Sequence, residues 1–255
     1  MFAIAHLRAA RRDGAILAAC LIGLAAIAWL ALLGIEAGPY GRFLGHDAGA
    51  AAGPVIVQAA IFSAGWFVMI AAMMLPTSIP LVLVFAAIVG RRARPRLLVA
   101  LLVLGYLVVW TAFGLGAWLA DRIVHAGVEA LPILAAYPQL ILATTLVGAG
   151  LWQFSPLRER CLEACRSPLG FVLNRWQGRY PARESLAMGI AHGAFCIGCC
   201  WPLMLVMFGV GIASLPAMLA IGGVTAIEKN LPWGRRLTRP VGVILILAGI
   251  STLTP

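Results

Sequence analysis

The sequence predicts an all-α fold, a polytopic membrane helix bundle of about seven transmembrane helices with a cytoplasmic N-terminus. Three observations lead there. Only 11% of the 255 residues are charged and 62% are hydrophobic, whereas about a quarter of a soluble domain is charged. The apolar residues come in runs near the ~20 residues that a helix needs to cross a bilayer. The basic residues fall in alternate gaps between those runs, the pattern of cytoplasmic loops. A net charge of +10 would suggest nucleic acid in a soluble chain. Here the arginines sit at the ends of apolar runs, so membrane lipid is expected as a partner and nucleic acid is not.

The elements follow in chain order. MFAIAHLRAARRDG resembles the basic region of a signal peptide. The run after it, 15–34, is longer than the ~7–15 residues of a signal core, so it is read as a retained first span. The run 54–90 is too long for one straight crossing and contains Pro76 and Pro80. Proline removes a backbone donor and clashes with the preceding turn, so this run is expected to be one kinked or broken helix. Further spans are expected near 97–120, 138–154 and 185–210, with shorter ones at 216–228 and 240–254 that tilt little or do not fully cross. Reading 54–90 as a re-entrant pair would move the count within about six to eight but would spoil the charge alternation.

Charge sets the orientation. Arg8, Arg11 and Arg12 precede the first span, and RRARPR (91–96) follows the second. Arg158, Arg160, Arg166, Arg175, Arg179 and Arg183 lie in 155–184, and Lys229, Arg235, Arg236 and Arg239 follow the sixth run. The gaps 35–53, 121–137 and 211–215 are poor in basic residues. The chain is thus expected to be a single integral-membrane domain over 1–255, with 155–184 a cytoplasmic loop.

Chemistry concentrates in AHGAFCIGCCWPLM (191–204), which holds three of the six cysteines. At 100° per residue, His192, Cys196 and Cys199 share one stripe, with Cys200 at its edge; Met188 and Met207 extend it. Counted from a helix start near Ser185, Cys196 lies ~16 Å in, close to the bilayer midplane. Thiolate, imidazole and thioether are ligands for Cu(I), and thiolate with imidazole also suits zinc. A hard cation would want oxygens. The plainer reading treats free cysteine as a small buried hydrophobe and His192 as a hydrogen-bonded core residue.

Two further stretches bear on this choice. In WFVMIAAMMLP, Met69 and Met73 are four residues apart on one face that ends at Pro76. Methionine stripes are usually core filler, and these become ligands only if they converge with the cysteine helix. In RERCLEACRSP, Cys161 and Cys165 are i and i+4, so on a short helix they could share one ion. A persistent disulfide is not expected in a reducing compartment. The pair is either a metal-receiving or redox pair, or part of a half-buried interfacial helix. Glu228, followed by Lys229, is a counter-ion to a bound cation, a proton acceptor, or an interfacial residue paired with that lysine.

The patterns W-x-x-M-x-x-A-M-M-x-P at 66–76, C-x-x-x-C-x-x-P at 161–168, H-G-x-x-C-x-G-C-C-W at 192–201 and E-K at 228–229 together resemble a bacterial family. That family is catalogued as a domain of unknown function, described as predicted metal-binding integral membrane proteins and often labelled copper chaperones. The resemblance runs from about residue 55 to 235. It implies a metal-handling role for Cys161, Cys165, Cys196, Cys199 and Cys200, and a place in the bacterial inner membrane. Ala213-Ser214 departs from the Met-Asn that relatives tend to carry, which removes one soft ligand.

The leading expectation is therefore a protein that relays, inserts or stores Cu(I), exchanging it with a protein partner. The ligands come from His192, Cys196, Cys199, Cys200, Cys161 and Cys165, with Met69 and Met73 as weak partners and Glu228 nearby. No P-loop pattern occurs, and no loop is long enough for a nucleotide domain, so ATP-driven pumping is not expected. Three other readings stay open: a thiol–disulfide electron carrier using Cys196 and Cys199, a copper-dependent membrane oxygenase, and a non-catalytic subunit whose Cys and Met merely pack.

Overall fold

The computed structural model describes residues 2–37, 54–130, 136–137, 139–210 and 214–253. Among them there are α-helices and short 3-10 turns and no strand. The helices are α1 (Phe2–Ala37), α2 (Val55–Met73), α3 (Ile79–Val89), α4 (Pro95–Ala130), α5 (Gln139–Trp152), α6 (Pro156–Arg166), α7 (Pro168–Leu173), α8 (Pro181–Val210), α9 (Leu215–Asn230) and α10 (Thr238–Ser251). Most of the basic-poor gaps 35–53 and 211–215, Ala213 included, and residues 131–135 of the gap 121–137 lie outside the described residues.

Four helices are long and apolar enough to cross a membrane: α1 within Arg12–Ile35, α2, α4 within Pro95–Val128, and α8 within Pro181–Gly209. A fifth is counted if α5 and α6, bent by 65° at their junction, form one span. The last two helices, α9 and α10, have 16 and 14 residues, short of the ~20 that a straight crossing takes.

The long run 54–90 is broken where its prolines predict. Helix α2 stops at Met73, Pro76–Ser78 form a 3-10 turn, and α3 resumes at Ile79. The tightened turn closes the Thr77 N–H on the Met74 carbonyl, and the Thr77 hydroxyl (2.7 Å) and the Tyr106 hydroxyl (3.1 Å) also donate to it. The break is thus stitched to α4 rather than left open.

Helix α8 begins earlier than the expected Ser185. The Glu184 carboxylate accepts the backbone N–H groups of Gln177, Gly178, Arg179 and Tyr180, which organises the turn before Pro181. Proline suits a first helical position because its missing donor would be unpaired there anyway. Inside α8, Pro202 withholds the N–H that would close on Gly198. The indole of Trp152 donates to that carbonyl instead (3.1 Å), tying α5 to α8.

Small residues bring backbones together. A side chain at Gly189 would strike the Leu102 carbonyl, and one at Gly105 would strike the Leu186 carbonyl, so α4 and α8 touch along their length. Gly150, Gly242 and Gly249 do the same for α5 and α10. Such close approach is how helices associate in lipid, where burial of apolar surface gives little drive.

Within 155–184 the short helix allowed for Cys161 and Cys165 is present, and two helices occupy the segment's first half. Its first part is α6, laid against α8 with Arg158, Cys161 and Leu162 buried. The spacing i, i+3, i+4 puts those residues on one face, while Glu159 and Glu163 ion-pair with Arg235 on the outer side. Helix α7 buries Phe171 and Val172 in a second apolar cluster with α3 and the start of α4.

Candidate metal centre

The thiols of α8 occupy the middle of a 30-residue helix and the centre of the core. Cys196 is fully buried, and Cys199 and Cys200 are each 2% exposed. The Cys199 and Cys200 thiols both donate to the Cys196 carbonyl at 3.0 Å, which turns their sulfurs back toward Cys196. From α6, Cys165 packs against the cluster that holds Cys196, Cys199 and Cys200. Thiols that are 31 and 34 positions apart in sequence therefore meet, because α6 folds back on α8. Cys161 lies one layer behind, its Sγ 2.5 Å from where a Gly198 side chain would begin. Only glycine at 198 leaves room for that sulfur.

The Cys196 sulfur has two polar neighbours that the sequence did not single out. Lys229 donates to it from Nζ at 2.8 Å, and the Tyr106 hydroxyl lies at 3.1 Å. Lys229 is 5% exposed, and its other contact is the Thr77 hydroxyl at 3.4 Å. An ammonium taken out of water needs a negative or strongly polar partner, and the Cys196 sulfur is the nearest one.

Glu228 and Lys229 do not pair with each other, contrary to the interfacial reading. Neighbouring positions on a helix point about 100° apart, and here they serve different partners. Glu228 is 2% exposed and accepts from Arg158 at 2.5 Å and from the Thr238 hydroxyl at 3.0 Å. Its backbone carbonyl accepts from Arg166 of α6. The carboxylate is thus occupied in bracing α6 against α9 and α10.

His192 sits on the same stripe but is turned aside. Its Nε2 is 3.2 Å from the Ser78 hydroxyl, and its ring lies between Tyr106 (centroids 5.6 Å apart) and Phe171 (5.5 Å). Its Nδ1 is buried with no hydrogen-bond partner. Met69 and Met73 fall in the same buried cluster as Cys196, Cys199 and Cys200, together with Met74, Met204, Met207 and Met218. The stripe expected from Met188 to Met207 divides, since Met188 belongs to the neighbouring cluster around α3. Among the described residues, no three His, Cys, Asp or Glu side chains stand as a ready-made ligand set. The described cysteines are free thiols.

Lys229, Tyr106 and Arg158 are the residues that sequence reasoning passed over. Lys229 carried a signal, being the one lysine among 19 basic residues and standing at the end of an apolar run. Arg158 is fully buried but sits in an arginine-rich stretch where nothing sets it apart.

The architecture is that of an all-α bundle, with helices able to cross a membrane, closed around a core of thiols and thioethers. Residues 63–252 match the PpoB2 family, described as copper chaperones, and the chain belongs to that family. The matched stretch encloses all four motifs quoted above. Neither a curated protein nor a solved structure matches the chain.

Proposed function

We propose that this protein carries Cu(I) as cargo in an intramembrane thiol pocket formed by Cys165, Cys196, Cys199 and Cys200. One observation carries the reading: a buried ammonium, Lys229, sits 2.8 Å from Cys196 Sγ with the other thiols gathered round it. A sulfur held against a cation in a dry core is prepared to be a thiolate, the form that binds metal. Cu(I) is a soft monovalent cation suited to thiolate and thioether ligands, and it takes over the charge-neutralising place of the ammonium. Thr77 offers Lys229 a second partner when the metal enters.

The residues divide by position. Cys196 and Cys199 are the inner ligands. Cys165, partly exposed and packed against the cluster that holds both, is the exchange ligand that passes copper between the pocket and a protein partner. Cys161 backs it. His192 joins only by leaving Ser78, and its unpartnered Nδ1 leaves it free to turn. Met69 and Met73 line the pocket as weak ligands. Glu228 holds α6 in place through Arg158 rather than touching metal. In this reading the chain crosses the bacterial inner membrane seven times, with the basic ends of the helices in the cytoplasm.

The test is elemental analysis of protein purified under reducing conditions, with free thiols counted on the same samples. Wild type is expected to hold about one copper per chain, and Cys196→Ala/Cys199→Ala to lose it. Copper retained by the double variant would overturn the pocket assignment. Metal-free wild type whose thiols cycle to a disulfide would instead make the chain an electron carrier.

A further inference from the structure

Away from the thiols, a cavity of about 670 Å³ opens where the end of α5, the start of α6 and the start of α10 meet. Its lining includes Gln153, Ser155, Glu159, Arg235, Arg236 and Arg239. Arg235 is already satisfied by Glu159 and Glu163. Arg236 and Arg239 are exposed and have no carboxylate partner among the described residues. The first turn of the 11-residue α6 also lies in the wall, with Ser155 as its cap. Pro156 has no N–H and the Leu157 N–H is taken by the Ser155 side chain, so an anion would rest on the two free guanidiniums with only the positive dipole end of the helix behind them.

An apolar track leads from the cavity. Below Arg239 on α10, Val243 and Ile250 lie on the same stripe and Leu247 at its edge; all three are exposed, as is Phe154 at the cavity's rim. Free phosphate has no use for such a track, whereas acyl chains do.

We propose that this cavity binds the headgroup of an anionic glycerophospholipid, with its phosphate on Arg236 and Arg239 and its chains along α10. The site is separate from the thiol pocket and holds whether or not copper is the cargo.

The experiment uses the full chain purified in a neutral detergent, with bound lipid counted by native mass spectrometry. Phosphatidylglycerol, phosphatidylcholine with the same chains, and inorganic phosphate are the three probes. Phosphatidylglycerol is expected to be retained, phosphatidylcholine to be washed off, and phosphate in excess to leave the lipid in place. Arg236→Gln/Arg239→Gln is expected to weaken retention about thirtyfold, and each single variant about fivefold. The single variants carry the test if the double variant does not purify. Equal retention of both lipids, or retention unchanged in the variants, overturns the proposal. Displacement by phosphate also overturns it, and identifies a free-anion site instead.

Discussion

At the residue scale, two buried charges are held by very different partners. The Arg158–Glu228 pair is almost fully enclosed, at 1% and 3% side-chain exposure. Removing one member strands the other, which costs about 3–5 kcal/mol, whereas replacing both with apolar residues is close to neutral. Arg158→Met and Glu228→Gln are therefore each expected to lower the unfolding midpoint sharply, with Arg158→Met/Glu228→Leu recovering most of the loss. Denaturant titration of the detergent-solubilised protein measures all three. The thiol pocket has its own signature, because thiolates hold metal only while deprotonated. Copper affinity measured against a competing chelator is expected to fall as the pH falls, and an affinity that does not change with pH would mean ligands other than thiolate. The sequence made His192 and the α8 cysteines legible because helical periodicity places them on one face. It could not announce the partners of Arg158 and Lys229, which lie 70 and 33 positions away.

At the scale of elements, the seam between α4 and α8 positions the thiols, because Tyr106 reaches Cys196 across it. Gly189 is the tightest point of that seam, facing the Leu102 backbone, which cannot step aside as a side chain would. Gly189→Ala is expected to cost about 1–3 kcal/mol through overpacking. Gly116→Ala, with nothing within 4 Å, is expected to be neutral or slightly stabilising, since alanine is the better helix former. Comparing their thermal midpoints separates contact from propensity. The break between α2 and α3 was legible in Pro76 and Pro80. The fold-back of α6 was not: the spacing of Cys161 and Cys165 allowed a short helix, but nothing in it named α8 as the surface it lies on.

At the scale of the whole molecule, alternating charge predicts a topology that can be tested without a structure. With the N-terminus in the cytoplasm, a reporter enzyme active only outside the cytoplasm is expected to work when fused after Gly45 and to be silent when fused after Arg94. Activity at both positions, or at neither, would break the alternation. Apolar run length placed the long helices in their order, whereas the short helices α6 and α7 did not follow from it. Whether α9 and α10 complete separate crossings did not, because 16 and 14 residues fall at the limit where tilt and bilayer thickness decide.

Lys229 gives the molecule one more property. Since no other lysine exists in the chain, a single ε-amine reports on the interior of the bundle. Buried against Cys196, it is closed to acylating reagents until the helices around it part. Its acylation rate, read from one peptide by mass spectrometry, is therefore a clock for how often the protein breathes open in its membrane.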